Sequence, residues 1–251
     1  MWNLVSTRVT QFGYFNEILD RPDWKASKIL DFGGNVGSFL TSANGAVNHD
    51  DYWCLDLNRS VLEIGRREFP DAHFVHYNRY SSQYNPDGVR NLAVPDLGLK
   101  FDVIMAFSVF THTHPSEMIE LVGQLREMLA PAGALAFTFT DPSYDRTLSD
   151  PSLPAGTDVR KMLQWQQAEN PSLEIEWMVE AAFGSKWCLL IDDKLYIEPG
   201  IEFSHQERRG RPNESYCSYF TVDYVASLFP EAKVFPPVSP EWQHCCVIRN
   251  E

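Results

Sequence analysis

The sequence has no run of eighteen apolar residues, so nothing in it is expected to span a membrane. It has no low-complexity tract and no internal repeat. Cysteine is sparse: Cys54, Cys188, Cys217, Cys245 and Cys246 are odd in number and include no C-x-x-C pair. That argues against a disulfide framework or a zinc site and for free thiols in a reducing compartment. The vicinal Cys245 and Cys246 lie in an apolar, strand-like run and read as small buried hydrophobes. The opening Met1-Trp2-Asn3-Leu4 lacks a basic region followed by an apolar core. No secretory leader is therefore expected, and the expected location is cytoplasmic. Positive charge is also in deficit, with a formal net charge of −13. A long polyanion would be repelled over most of such a surface, which excludes nucleic acid as the expected partner. Arg208, Arg209 and Arg211 form the one local exception. They read first as a solvated charge run and second as a grip for a carboxylate or phosphate.

What is present is ordinary globular material: 251 residues, 44% hydrophobic and 22% charged, enough for one large domain or one domain with an insertion. In the first half, apolar β-type runs at 28–32, 52–57, 73–77, 101–107 and 134–140 alternate with helical patterns. The clearest helix has Met118, Leu121, Val122, Leu125, Met128 and Leu129 at helical spacing. Pro115 suits its first turn, and Pro131 with Gly133 is expected to stop it. Alternation of this kind implies a parallel sheet covered by helices on both faces. After Asp141 the pattern breaks into a segment richer in proline, charge and large aromatics, with a hairpin expected to turn at Asp192-Asp193. A helix and two strands then return. The expected architecture is α/β: a core of residues 1–141, an inserted α+β cap over 142–218, and the end of the core over 219–251.

The most informative stretch is "LDFGGNVG", in which Gly33, Gly34 and Gly37 follow a short apolar strand. Glycine there permits a sharp turn and close approach of a ligand to the backbone. The G-x-G-x-x-G spacing of dinucleotide sites and the G-x-x-x-x-G-K-[ST] of phosphate loops are both absent. The D-x-G-x-N-x-G pattern that remains resembles the first motif of the class I S-adenosylmethionine-dependent methyltransferases. Asn35 stands where that family has its middle glycine, a mild change because asparagine tolerates positive φ. The next strand ends in Asp56, the third in Tyr77-Asn78, and "FSVFTHTHP" with "LAPAGALAFTFTD" is similar to the family's fourth and fifth strands. The resemblance implies a Rossmann-like, doubly wound, mostly parallel seven-stranded sheet in order 3-2-1-4-5-7-6, strand 7 antiparallel. It also implies S-adenosylmethionine as cofactor, held by Asp31, Gly33, Gly34, Asn35, Gly37, Asp56, Leu57, Asn78, Phe107 and Ser108. Asp56 would take both ribose hydroxyls, Leu57 would lie against the adenine, and Tyr77 and Asn78 would reach its edge.

Several features bear on the acceptor. Amine-methylating nucleic-acid enzymes of this fold carry D/N-P-P-Y/F after the fourth strand, where this chain has "FSVF" from Phe107 to Phe110. Asp141 and Asp145 alone make no convincing magnesium set, so metal-independent chemistry is expected. Methylation of oxygen needs a base, and histidine titrates near neutrality. His112 and His114 follow the fourth strand. His114, directly before Pro115, is favoured as a helix cap, while His112 stands between base and helix start. His205 is a further candidate base in the cap, with a surface histidine as its plainer reading. The cap aromatics, among them Trp187, Tyr196 and Tyr219, would wall a substrate pocket or build the cap's own core, the latter being the plainer reading for each. Tyr14 and Phe15 would cover the cofactor or simply pack. The expected activity is transfer of a methyl group to a small molecule, on oxygen, in biosynthetic tailoring. The alternatives are a peptide or protein acceptor, such as a carboxylate, or a cofactor-binding module without turnover.

Overall fold

The computed structural model describes residues 10–142, 168, 171, 184–191, 194–197, 216–238 and 243–250. Ten strands are seen among them: β1 (Ile29–Phe32), β2 (Tyr52–Asp56), β3 (His73–His76), β4 (Phe101–Ala106), β5 (Leu129–Phe139), β6 (Trp187–Ile191), β7 (Lys194–Ile197), β8 (Tyr216–Phe220), β9 (Lys233–Phe235) and β10 (His244–Arg249). Seven form one sheet in the order β3-β2-β1-β4-β5-β10-β9. The pairs from β3 to β5 are parallel, and β10 is antiparallel to both of its neighbours. This is the doubly wound order that the glycine motif implied.

Alternation along each strand builds a core on each face. Leu30, Ile104, Leu135 and Phe137 point to one side, where α4 (Pro115–Glu127) and α5 (Val222–Leu228) pack. Ile29, Val103, Met105 and Ala136 point to the other, with α1 (Gln11–Ile18), α2 (Ser38–Ala43) and α3 (Arg59–Glu68). Cys245 and Cys246 are both buried, and as neighbours on β10 they serve opposite faces. All five cysteines are free. The helix ends carry ordinary caps: Thr10 accepts from the Gly13 N–H and Asn58 from that of Ser60, so the first turns lose few donors.

One boundary departs from expectation. Met128 caps α4, and Leu129 opens β5 instead of ending the helix. The sheet takes precedence here because Phe101 donates its N–H to the Met128 carbonyl at 2.9 Å. Pro131 and Gly133 therefore sit in a bulge, where the register jumps from Phe101↔Leu129 to Val103↔Ala134 and Ala132 has φ +60°.

The second sheet, β7-β6-β8, contains the expected hairpin, with Ile191 opposite Lys194. The turn residues Asp192 and Asp193 lie outside the described residues. This sheet docks beside β5: Phe220 donates its N–H to Thr140 O at 2.8 Å, and Trp187, Leu189 and Phe220 join the α4 core. Trp187 and Tyr219 are buried, which is the packing role expected first. Among the described residues no helix is long and apolar enough to cross a membrane.

Candidate active site

In a doubly wound sheet the crevice opens at the carboxyl ends of the strands where the winding reverses, here between β1 and β4. The turn 33–37 after β1 meets the segment after β4 there. Gly33 has φ +79° and donates its N–H to Leu55 O at 2.6 Å; a Cβ on it would lie 2.4 Å from Val109 Cγ2. At Gly34 a Cβ would fall 2.6 Å from the Asp31 carboxyl carbon and 2.9 Å from Cys54 Sγ. Asn35 takes the left-handed conformation, φ +57°, that its side chain tolerates. Only bare backbone fits at Gly33 and Gly34, because neighbouring side chains fill the space that a Cβ would take.

The two acids of the motif hold different places. Asp31 is 3% exposed beneath the turn, and the Tyr52 hydroxyl donates to its Oδ2 at 2.5 Å. Burial, reinforced by the charge of Asp56, raises its carboxyl to about 7 even though the Tyr52 bond pulls the other way. Asp56 stands half-buried at the tip of β2, accepting from Asn35 N at 2.9 Å and Asn58 N at 2.8 Å, one on each oxygen. Burial raises it as well, and these amides oppose the rise. Each carboxylate oxygen retains further acceptor capacity, so a pair of vicinal hydroxyls suits it.

The remaining expected contacts divide. Asn78 lies past the end of β3, and its side-chain oxygen accepts from Asn85 at 3.1 Å. Leu57 packs at the margin of the α4 core. Phe107 sets its ring edge-on to Tyr14 and Phe15 at 5.8 and 6.1 Å, so all three share the core beneath α1. Tyr77 does not reach an open edge: it is buried, with its ring against Phe32 and its hydroxyl donating to Leu92 O at 2.5 Å. Ser108 is left-handed at φ +58°, held by its N–H to Thr138 Oγ1 at 2.7 Å and by Gln243 Nε2 to its hydroxyl at 3.0 Å. Asp141 accepts from Val222 N at 2.8 Å and so serves the start of α5. Among the described residues no group of three His, Cys, Asp or Glu side chains could hold a metal ion.

The histidines after β4 separate cleanly. His114 is the cap of α4, its Nδ1 accepting from Ser116 N at 3.3 Å, with Pro115 in the first helical position. Burial lowers its imidazole below the usual range. His112 ends the short 3-10 turn Phe110–His112, and its Nε2 lies 3.2 Å from the Tyr84 hydroxyl. His205, Arg208, Arg209, Arg211 and Asp145 lie outside the described residues. His73 and His76 are structural, each ring set against a backbone carbonyl, of Asp50 and Leu57.

Sequence reasoning passed over Tyr84, Gln243 and Arg79. Tyr84 and Arg79 belong to the connection between β3 and β4, which has neither strand nor helix periodicity to mark it. Arg79 is 4% exposed and paired with Glu117 at 3.0 Å and Glu120 at 2.9 Å, anchoring that connection to α4. The i, i+3 spacing of the two glutamates was the one visible trace.

Residues 30–135 match a family model described as a methyltransferase domain. Solved structures share the fold at low identity. The glycopeptide N-methyltransferase MtfA, complexed with S-adenosyl-L-homocysteine, superposes with a TM-score of 0.53 at 11% identity, covering 100% of this chain and 94% of its own. DesVI of Streptomyces venezuelae gives 0.52 at 14%, covering 97% and 93%. Magnesium protoporphyrin IX methyltransferase from Synechocystis, with bound S-adenosylhomocysteine, gives 0.50 at 9%, covering 95% and 80%. The chain is thus similar to a methyltransferase domain over residues 30–135 and shares its fold with methyltransferases solved with S-adenosylhomocysteine.

Proposed function

We propose that this chain is a class I S-adenosylmethionine-dependent methyltransferase that acts on a hydroxyl of a small-molecule acceptor, with His112 as the base. The glycine turn and Asp56 support a cofactor site: Gly33 and Gly34 admit no side chain, and the Asp56 carboxylate, oriented by the Asn35 amide, suits a ribose diol. Bound S-adenosylmethionine supplies a methyl group on a cationic sulfur, with a thioether as leaving group. The residues of this chain then have two tasks, alignment and proton removal.

One observation carries the assignment of the base. His112 Nε2 already faces a hydroxyl, that of Tyr84, at 3.2 Å, on the turn that leaves the switch point. An acceptor O–H in the same relation loses its proton to Nε2 as the new O–C bond forms. The small sheet flanks this position, with Ser218 Oγ donating to Thr113 O at 2.5 Å and Trp187 edge-on to His114 at 5.5 Å. That placement supports a specificity role for the inserted segment 142–218. Two structural neighbours are named as a glycopeptide N-methyltransferase and a magnesium protoporphyrin IX methyltransferase, which supports methyl transfer but does not bear on the choice of oxygen.

The test uses methyl-labelled S-adenosylmethionine and a panel of simple phenols, alcohols, carboxylates and amines. With the best acceptor, His112→Ala should lower kcat by roughly 10²–10⁴ and leave calorimetric affinity for S-adenosylhomocysteine unchanged. Turnover close to wild type would show an acceptor that arrives ionised, and a carboxylate would replace the hydroxyl in this reading.

A further inference from the structure

We propose that Gln243 is a positioning residue of the cofactor site, its side-chain amide holding Ser108 in the conformation that sets Val109 against the glycine turn. This role rests on the reading of the switch point as the cofactor site and is independent of His112 as base.

Ser108 follows β4 closely, at the carboxyl edge of the sheet, and its φ of +58° is a conformation that serine rarely adopts. Three elements hold it there. Its N–H donates to Thr138 Oγ1 on β5 at 2.7 Å. Its hydroxyl accepts from Gln243 Nε2 at 3.0 Å and lies 3.1 Å from Thr111 Oγ1, which donates to Ser108 O at 2.9 Å. Gln243 and Thr138 are 2% and 0% exposed, so water does not substitute for either partner. The orientation of the amide follows from the donors. Thr138 Oγ1 accepts from Ser108, so its own proton goes to Gln243 Oε1, which turns Nε2 toward Ser108.

Topology explains how residue 243 reaches residue 108. Strand β10 runs antiparallel to β5, so it begins at the edge where β4 and β5 end, with His244 opposite Phe139. Gln243 is held there from a further side, since the Tyr14 hydroxyl of α1 donates to its carbonyl at 3.2 Å. The effect passes to the cofactor site through one contact. A Cβ on Gly33 would lie 2.4 Å from Val109 Cγ2, so the side chain that follows Ser108 fills the space beside the glycine turn. Asp56 holds the same turn through the Asn35 N–H. Rotation of Ser108 to negative φ redirects the chain at Val109 and leaves the turn without that support. Buried partners therefore keep a strained residue where the two segments of the crevice meet.

Gln243→Met keeps the length of the side chain and removes the amide. Calorimetry with S-adenosylhomocysteine on the full chain should show affinity about tenfold weaker than wild type. In a Ser108→Gly background the same change should cost about twofold or less, because glycine takes positive φ without an anchor. Thr138→Val removes the other anchor and should weaken binding to a similar extent, which keeps the test open if Gln243→Met does not fold. Urea midpoints measured in parallel separate this role from packing. A lowered midpoint with unchanged affinity for S-adenosylhomocysteine would overturn the proposal and leave Gln243 a core residue. An equal loss of affinity in both backgrounds would also overturn it, since the amide would then act other than through Ser108. A wild-type chain that does not bind S-adenosylhomocysteine would instead remove the cofactor site, and this role with it.

Discussion

The backbone N–H of Asn35 donates to Asp56 Oδ2 at 2.9 Å, joining the glycine turn after β1 to the tip of β2. The turn and the acid that would receive the ribose are therefore one hydrogen-bonded unit. Asn58 N holds the other oxygen at 2.8 Å, so the carboxylate is oriented before any ligand arrives.

Asp56→Ala should cost about 1.5–3 kcal/mol of cofactor affinity, the range of hydrogen bonds to a charged group. Asp56→Asn keeps an oxygen for the Asn35 amide and should lose less. Titration calorimetry with S-adenosylhomocysteine separates the two. Unchanged affinity in Asp56→Ala would remove this residue from the ribose site.

Asp31 makes stability depend on pH in an unusual direction. Its carboxyl is raised from 3.8 in an unfolded chain to about 7 in the folded one. Between these values the folded state binds the extra proton, so its contribution to stability is fully present below about 4 and lost as pH rises to 7. Above 7 the contribution is flat. Asp31→Asn should remove this slope, read from urea midpoints between pH 4 and 8. A variant that keeps the wild-type slope would place the titration elsewhere.

Arg79 holds two glutamates from a buried position, and removing one partner of such a group leaves the other charge uncompensated. Arg79→Met should destabilise the fold by about 3–5 kcal/mol. Burial already raises Glu117, which Arg79 opposes, so the loss should shrink at acid pH as Glu117 takes a proton. Glu120 is more exposed, and Glu120→Gln should cost less. Urea denaturation at two pH values measures all three effects. A loss below 1 kcal/mol in Arg79→Met would show that the β3–β4 connection is held by other contacts.

What the sequence determined by itself was local and repetitive. Strand and helix periods, the glycines and Asn35 of the turn, and Pro115 after His114 are short-range steric and capping facts, carried by neighbouring residues. They sufficed for the alternation of strands and helices and for favouring His114 as a cap, while the sheet order and its switch point came from the family resemblance that the glycine turn carries. Tertiary structure decided what depends on residues distant in the chain. Tyr77 turned inward because Leu92 O offered its hydroxyl a buried partner. Leu129 left the helix because β4 offered it a ladder. Tyr84 met His112, 28 positions away, because a turn between β3 and β4 is braced by an arginine that only the folded chain can bury. Hydrogen bonds and ion pairs of this kind leave little trace in a single sequence beyond the i, i+3 spacing of Glu117 and Glu120, since the partners are set by packing and not by spacing.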